Sequence, residues 1–230
     1  MSSKSQKYPD VLKTLYILKK YTENAGGDFG LPLYICARRD KYDFLPSHYC
    51  DVEKNMSLLI SAIYQKRRVV IPVIFYPCKS DDIISQLSLE DVQTSEFHVV
   101  NHINTLYCYP TPDRFNEITI ERYEPSCCFS QGNLDDILRS MFSYWFDRQK
   151  QNQLEFDAMM NWASTIQICP RGTQVILKDI NLCQYHILWW IKHRLHNTFW
   201  DTYVQIINNF DRDKFMNYVK EIESAEKYLG

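Results

Sequence analysis

"HINTLYCYPTPDRFNEITIERYE", His102 to Glu124, decides how this chain folds. Two runs rich in β-branched and aromatic residues flank a polar centre. Pro110, Pro112 and "DRFN" mark a turn centred near Asp113. Folding the chain back at that centre sets His102 opposite Glu124, with Cβ atoms about 5 Å apart on one face of an antiparallel pair. A slip of a single residue would send them to opposite faces.

Outward from this hairpin the pattern is one of mixed elements. "RRVVIPVIFY" (67–76) reads as a strand, and Pro72 within it argues for an edge position or a bulge. A further strand is expected over 165–169. Helical spacing of apolar residues predicts helices at 9–24, 51–65, 132–149, 182–196, about 199–209 and 212–227. The "GGDFGLP" segment ends the first of these. The expected class is α+β, with a central, mostly antiparallel sheet and flanking helices. The chain divides into a helical N-terminal part (1–66), a core (67–196) and C-terminal helices (197–230) of one domain.

The chain has 230 residues, of which 45% are hydrophobic, enough to bury a single core. A formal charge of −2 provides no global attraction to nucleic acid or an anionic membrane. "QKRR" (65–68) reads as a solvated helix end. No apolar run reaches the roughly 18 residues of a membrane span, and "MSSKSQKYPDVLKTL" carries no apolar leader core, so a cytoplasmic protein is expected. The eight cysteines include no C-x-x-C pair, which argues against structural zinc, and a reducing compartment argues against a disulfide framework. The vicinal Cys127 and Cys128 read as buried thiols. His186, His193 and His196 share a broad helical face but match no common metal spacing. No cofactor or metal is expected.

One thiol stands apart. In "CPRGTQVILKDINLCQYHILWWIKHRL" (169–195) a polar loop turns into an apolar helix at Cys183. A helix N-terminus and a neighbouring imidazolium both favour the thiolate over the thiol. His102 is the candidate base, preferred to His98 on the same strand because of its register with Glu124. Glu124 would hold the imidazole in the useful tautomer, and Gln174 in the loop offers an N–H to an oxyanion.

Cys169, Pro170, Gly172, Gln174, Cys183, Trp189, Arg194 and Leu195 together resemble the C-terminal segment of cysteine proteases in the adenovirus-protease and ubiquitin-like-protein protease superfamily, in the versions found in large DNA viruses. "RRVVIPVIFY", "HINTLYCY" and "ITIERYEPS" follow the upstream order of that superfamily, with an insert at 133–164 that has no counterpart. The resemblance implies a papain-like thiol protease with Cys183 as nucleophile, His102 as base, Glu124 as orienting acid and Gln174 as oxyanion donor. It implies a protein substrate, either a viral structural precursor or a ubiquitin-like conjugate, cut at a Gly-containing site. Leu182 and His186 depart from the pattern, which has Gly or Asp just before the nucleophile and often an aromatic three residues after it. The alternative is a catalytically silent module that keeps the fold as a binding or virion scaffold element.

Overall fold

The computed structural model describes residues 11–37, 42–44, 49–77, 102–114, 116–125, 133–152, 159–164, 183–196 and 210–226. The described elements are α1 (Val11–Asn24), β1 (Asp28–Phe29), β2 (Leu33–Ala37), β3 (Tyr42–Phe44), α2 (Tyr49–Gln65), β4 (Val69–Pro77), β5 (His102–Pro110), β6 (Glu117–Tyr123), α3 (Asn133–Asn152), β7 (Met159–Ser164), α4 (Cys183–His196) and α5 (Arg212–Glu226). The class is α+β. The N-terminal part, expected to be helical, also supplies three strands. The expected strand at 165–169 and helix at 199–209 lie outside the described residues.

The strands form one sheet in the order β3-β2-β4-β5-β6-β7, with β1 also paired to β4. It is mixed rather than mostly antiparallel. β4–β5, β5–β6 and β2–β3 are antiparallel, whereas β1–β4, β2–β4 and β6–β7 are parallel. Parallel neighbours require a crossover, and α3 supplies the one between β6 and β7.

Helices cover both faces. On one, α2 and α3 pack Val52, Met56, Leu59, Leu138 and Phe142 against Val69, Ile71, Val73, Leu106, Cys108, Ile118 and Ile120. On the other, α1, α4 and α5 pack Leu18, Ile187, Trp190, Ile191, Phe215 and Val219 against Val70, Ile74, Ile103, Tyr107 and Tyr123. The two-residue period of the strands sorts the side chains between these cores. Helices from all three sequence segments therefore share one buried layer.

Pro72 is neither at an edge nor in a bulge: β4 lies between β2 and β5, and Pro72 pairs with Thr105. The reason is where its missing N–H would point. The Val70 carbonyl accepts from Gly30 N–H at 2.8 Å, so the even positions of β4 turn their main-chain groups toward β1 and β2. The β1 ladder ends at Phe29↔Val70 and the β2 ladder begins at Leu33↔Val73, so Pro72 falls in the gap between them. No ladder bond is lost there.

The same gap fixes a glycine. Asn55 of α2 accepts from Leu31 N–H and donates to the Leu31 carbonyl, each at 2.9 Å, pinning the connection between β1 and β2 to the helix. A Cβ on Gly30 would lie 2.6 Å from Asn55 Oδ1 and 2.8 Å from Ile71 Cγ1. Gly30→Ala is therefore expected to cost about 1–3 kcal/mol through overpacking, seen as a lower urea midpoint at unchanged m-value. An unchanged midpoint would show that Asn55 is not held in place.

Candidate functional site

The β5–β6 hairpin closes with Thr111 N–H on the Glu117 carbonyl, and Asp113 and Asn116 both take positive φ, 60° and 63°. Asp and Asn are among the few side chains that occupy this region readily. The turn is thus longer than the prolines suggested, and its centre moves from 113 to 114. The register runs from Pro110↔Ile118 to Thr105↔Tyr123. Continued by one residue, it sets Asn104, and not His102, across from Glu124. The shift is by two, so positions 102 and 124 keep the same parity and become diagonal neighbours, about 7–8 Å apart.

Glu124 is 2% exposed, and its Oε2 accepts from Arg122 Nη1 at 3.4 Å. Arg122 also grips Asp135, in the first turn of α3, through Nε at 2.7 Å and Nη2 at 2.8 Å. Trp162 Nε1 donates to the same carboxylate at 3.2 Å. β6, α3 and β7 thus share one polar cluster, buried at Arg122 and Glu124 and half-buried at Asp135 and Trp162. Neither Arg122 nor Asp135 stood out in the sequence. An Arg and a Glu two apart on a strand are a faint signal of a shared face, whereas Asp135, in the first turn of α3, carries only the signal of an acid at a helix start.

Cys183 is the first residue of α4, as its position between polar loop and apolar helix predicted, and it is buried. α4 lies along β5 in the same direction. Near its end, Arg194 forms a two-bonded ion pair with Glu121 of β6, and its guanidinium sits 5.0 Å over the rings of both Tyr107 and Tyr109. One turn earlier, Trp190 stacks on Tyr123 at 4.5 Å and meets Tyr107 edge-on. Cys183 lies seven residues before Trp190, about 10 Å further back along the axis. About three strand residues span the same length. The N-terminus of α4 therefore arrives level with the start of β5 and just beyond Tyr123 of β6, the end of the sheet that holds positions 102 and 124.

The alternation of the sheet adds a second fact. Ile118 and Ile120 belong to the α2–α3 core and Arg122 reaches α3, so Glu124 shares that face. Position 102 has the parity of Leu106 and Cys108, on the same side. Cys183 belongs to the α4 side. Positions 102 and 124 thus share the α2–α3 face, and Cys183 lies on the opposite one. For His102 the structure describes the backbone alone. Gln174, His98, Cys127, Cys128 and Cys169 lie outside the described residues.

The α4 histidines diverge. His186 is fully buried and stacks on Phe215 at 4.2 Å and 18°; burial lowers its pKa to about 3. His193 Nδ1–H donates to the Trp189 carbonyl at 2.8 Å, and His196 is exposed. Burial also pushes the thiol of Cys108, inside the α2–α3 core, well above its ordinary range. Among the described residues no helix is long and apolar enough to cross a membrane, and no group of three or more His, Cys, Asp or Glu side chains is gathered to hold a metal ion.

Comparison of the chain with protein-family models, with curated proteins and with solved structures gave no significant match. The chain is an α+β protein in which a mixed sheet lies between two helical layers, with the thiol of Cys183 at the start of a helix in one of them.

Proposed function

We propose that the protein is a papain-like thiol hydrolase acting on peptide or isopeptide bonds, with Cys183 as nucleophile. The observation that supports this best is the course of α4 along β5. It delivers Cys183, at the positive end of a helix dipole, level with the strand end that carries position 102. In the proposed reaction the Cys183 thiolate attacks the carbonyl carbon. The oxyanion is held by the Gln174 side-chain N–H and the Cys183 main-chain N–H. His102 passes its proton to the leaving amine and then takes one from the water that releases the acyl group. Glu124, anchored by Arg122, orients His102. The substrate class is a viral structural precursor or a ubiquitin-like conjugate cut at a Gly-containing site, in a reducing cytoplasmic or virion setting.

The test is competitive alkylation with iodoacetamide at neutral pH, read by peptide mapping. Cys183 is expected to be labelled faster than any other thiol, because a nucleophilic cysteine reacts as its thiolate. Equal rates at Cys183 and Cys127 would remove the nucleophile.

A second reading, a catalytically silent binding or scaffold module, draws on the position of Glu124, which shares the α2–α3 face and is engaged by Arg122. It expects Cys183 to react no faster than the remaining thiols and Glu124→Gln to act only on folding.

A further inference from the structure

β7 ends the sheet: β6 lies on one side of it, and among the described residues no strand lies on the other. The direction of its main-chain groups follows from one bond. Met159 N–H donates to the Asn116 carbonyl at 2.8 Å, so Met159 turns its main-chain groups toward β6. Successive residues of a strand alternate, so Asn161 turns the same way, and Met160 and Trp162 turn outward. Among the described residues no main-chain group bonds to them on that outer side. An edge strand is ordinarily kept from pairing with another chain by Lys or other charges, by Pro, by a bulge or by being very short. β7 reads "MMNWAS", six residues with no charge and no proline. Its pairing with β6 runs without a bulge from Glu117↔Met159 to Arg122↔Ser164.

We propose that β7 is a self-association edge, which pairs antiparallel with β7 of a second copy about a two-fold axis through Asn161. The outward groups set the register. Met160 exchanges main-chain hydrogen bonds with Trp162 of the second copy, and Trp162 with Met160 of the second copy. Asn161 then faces its own counterpart as the non-bonded pair between them. Side chains follow the same pairing. Met160 and Trp162, half-buried against the α2–α3 core, meet as a sulfur-to-ring pair across the two strands. On the other face Met159 is 55% exposed and Asn161 is exposed, so that side of β7 is open to an approaching strand. A second copy suits this edge because a neutral strand meets itself without like-charge repulsion, and one two-fold register satisfies both outward residues. A formal charge of −2 adds little repulsion between whole chains. Six residues a side fall short of the roughly 20–30 a side of a standard interface, so the dimer is weak and reversible, with a Kd on the order of 10–100 µM.

The full chain is followed by sedimentation velocity from about 1 to 300 µM, which brackets that affinity. The wild type is expected to pass from monomer to dimer over this range. Asn161→Lys sets two ammonium groups directly opposite each other and should weaken the dimer roughly tenfold. Its melting temperature should stay unchanged, because residue 161 is exposed and gives up only a 3.5 Å contact with Thr119. Asn161→Cys tests the register. Opposed non-bonded positions have Cα atoms about 4.5 Å apart, within disulfide range, so mild oxidation should give a covalent dimer joined at 161. Peptide mapping separates that link from any made by the native thiols. Met159→Cys, about 13 Å along the strands from its own counterpart in this register, should not link. A chain that stays monomeric throughout overturns the proposal and leaves the edge to an extended segment of another protein. A dimer that Asn161→Lys leaves intact, or that links at 159 and not at 161, overturns it as well.

Discussion

Glu121→Ala is expected to destabilise the protein by about 3–5 kcal/mol, the range for removing one partner of a buried ion pair. Glu121 and Arg194 are among the most deeply buried charges described, with side chains 2% and 0% exposed. The pair is bidentate, Arg194 Nη2 to Oε1 at 2.8 Å and Nε to Oε2 at 3.0 Å. Alanine at 121 removes the two-bonded carboxylate from a guanidinium that sits over the faces of Tyr107 and Tyr109. It also loosens the end of α4, where the Tyr107 hydroxyl donates to the Arg194 carbonyl and Arg68 Nη1 donates to the Leu195 carbonyl. For a chain of this size each kcal/mol moves the melting temperature by about 2–4 °C, so a fall of roughly 6–20 °C is expected. The double variant Glu121→Leu with Arg194→Met removes both charges and should recover most of the loss, since apolar replacements of buried pairs are often neutral or better. A single-variant loss below about 1 kcal/mol, the level of surface pairs, would mean that water reaches the guanidinium.

The elements that local chemistry dictates were legible in the sequence, and those that depend on distant partners were not. The β-branched run at 69–77 and the apolar spacing after Cys183 specify β4 and α4 by themselves. The β5–β6 hairpin was legible as a hairpin, but its register moved by two because Asp113 and Asn116 lengthen the turn with left-handed backbone. Proline positions carry no signal for that. The parallel pairing of β2 with β4 and of β6 with β7 joins segments separated by whole helices, and no short-range pattern reports it. Pro72 read as an edge residue because the gap between the β1 and β2 ladders is a property of the assembled sheet. At the candidate site the helix start at Cys183 was visible as a change of composition. The Arg122–Asp135 pair was hidden, because it exists only once α3 folds back over β6.

Lowering the pH from 6.5 toward 3 is expected to weaken the fold through one ring, His186. The sequence drew attention to it as a histidine where the superfamily it resembles often has an aromatic. The structure gives it an aromatic's surroundings: stacked on Phe215, 5.7 Å from Phe210 and wholly out of solvent. Desolvation disfavours the imidazolium, so the native pKa is lowered to about 3 from 6.5. The sign follows from proton counting. Between those values the unfolded chain binds a proton at His186 and the native chain does not, so acid favours unfolding; above 6.5 and below 3 the two states bind equally and the effect is flat. At about 1.36 kcal/mol per unit, the loss is on the order of 2–3 kcal/mol by pH 4.5 and roughly 4–5 kcal/mol when complete. Most Asp and Glu side chains titrate nearer pH 4, so the interval from 6.5 to 4.5 isolates the histidine. His186→Phe keeps the stack on Phe215 and removes the titration. Urea denaturation at pH 7.0, 5.5 and 4.5 should show a falling midpoint in the wild type and a nearly level one in the variant. Parallel slopes in the two proteins would mean that His186 takes up its proton in the folded state and that the acid loss belongs to other groups.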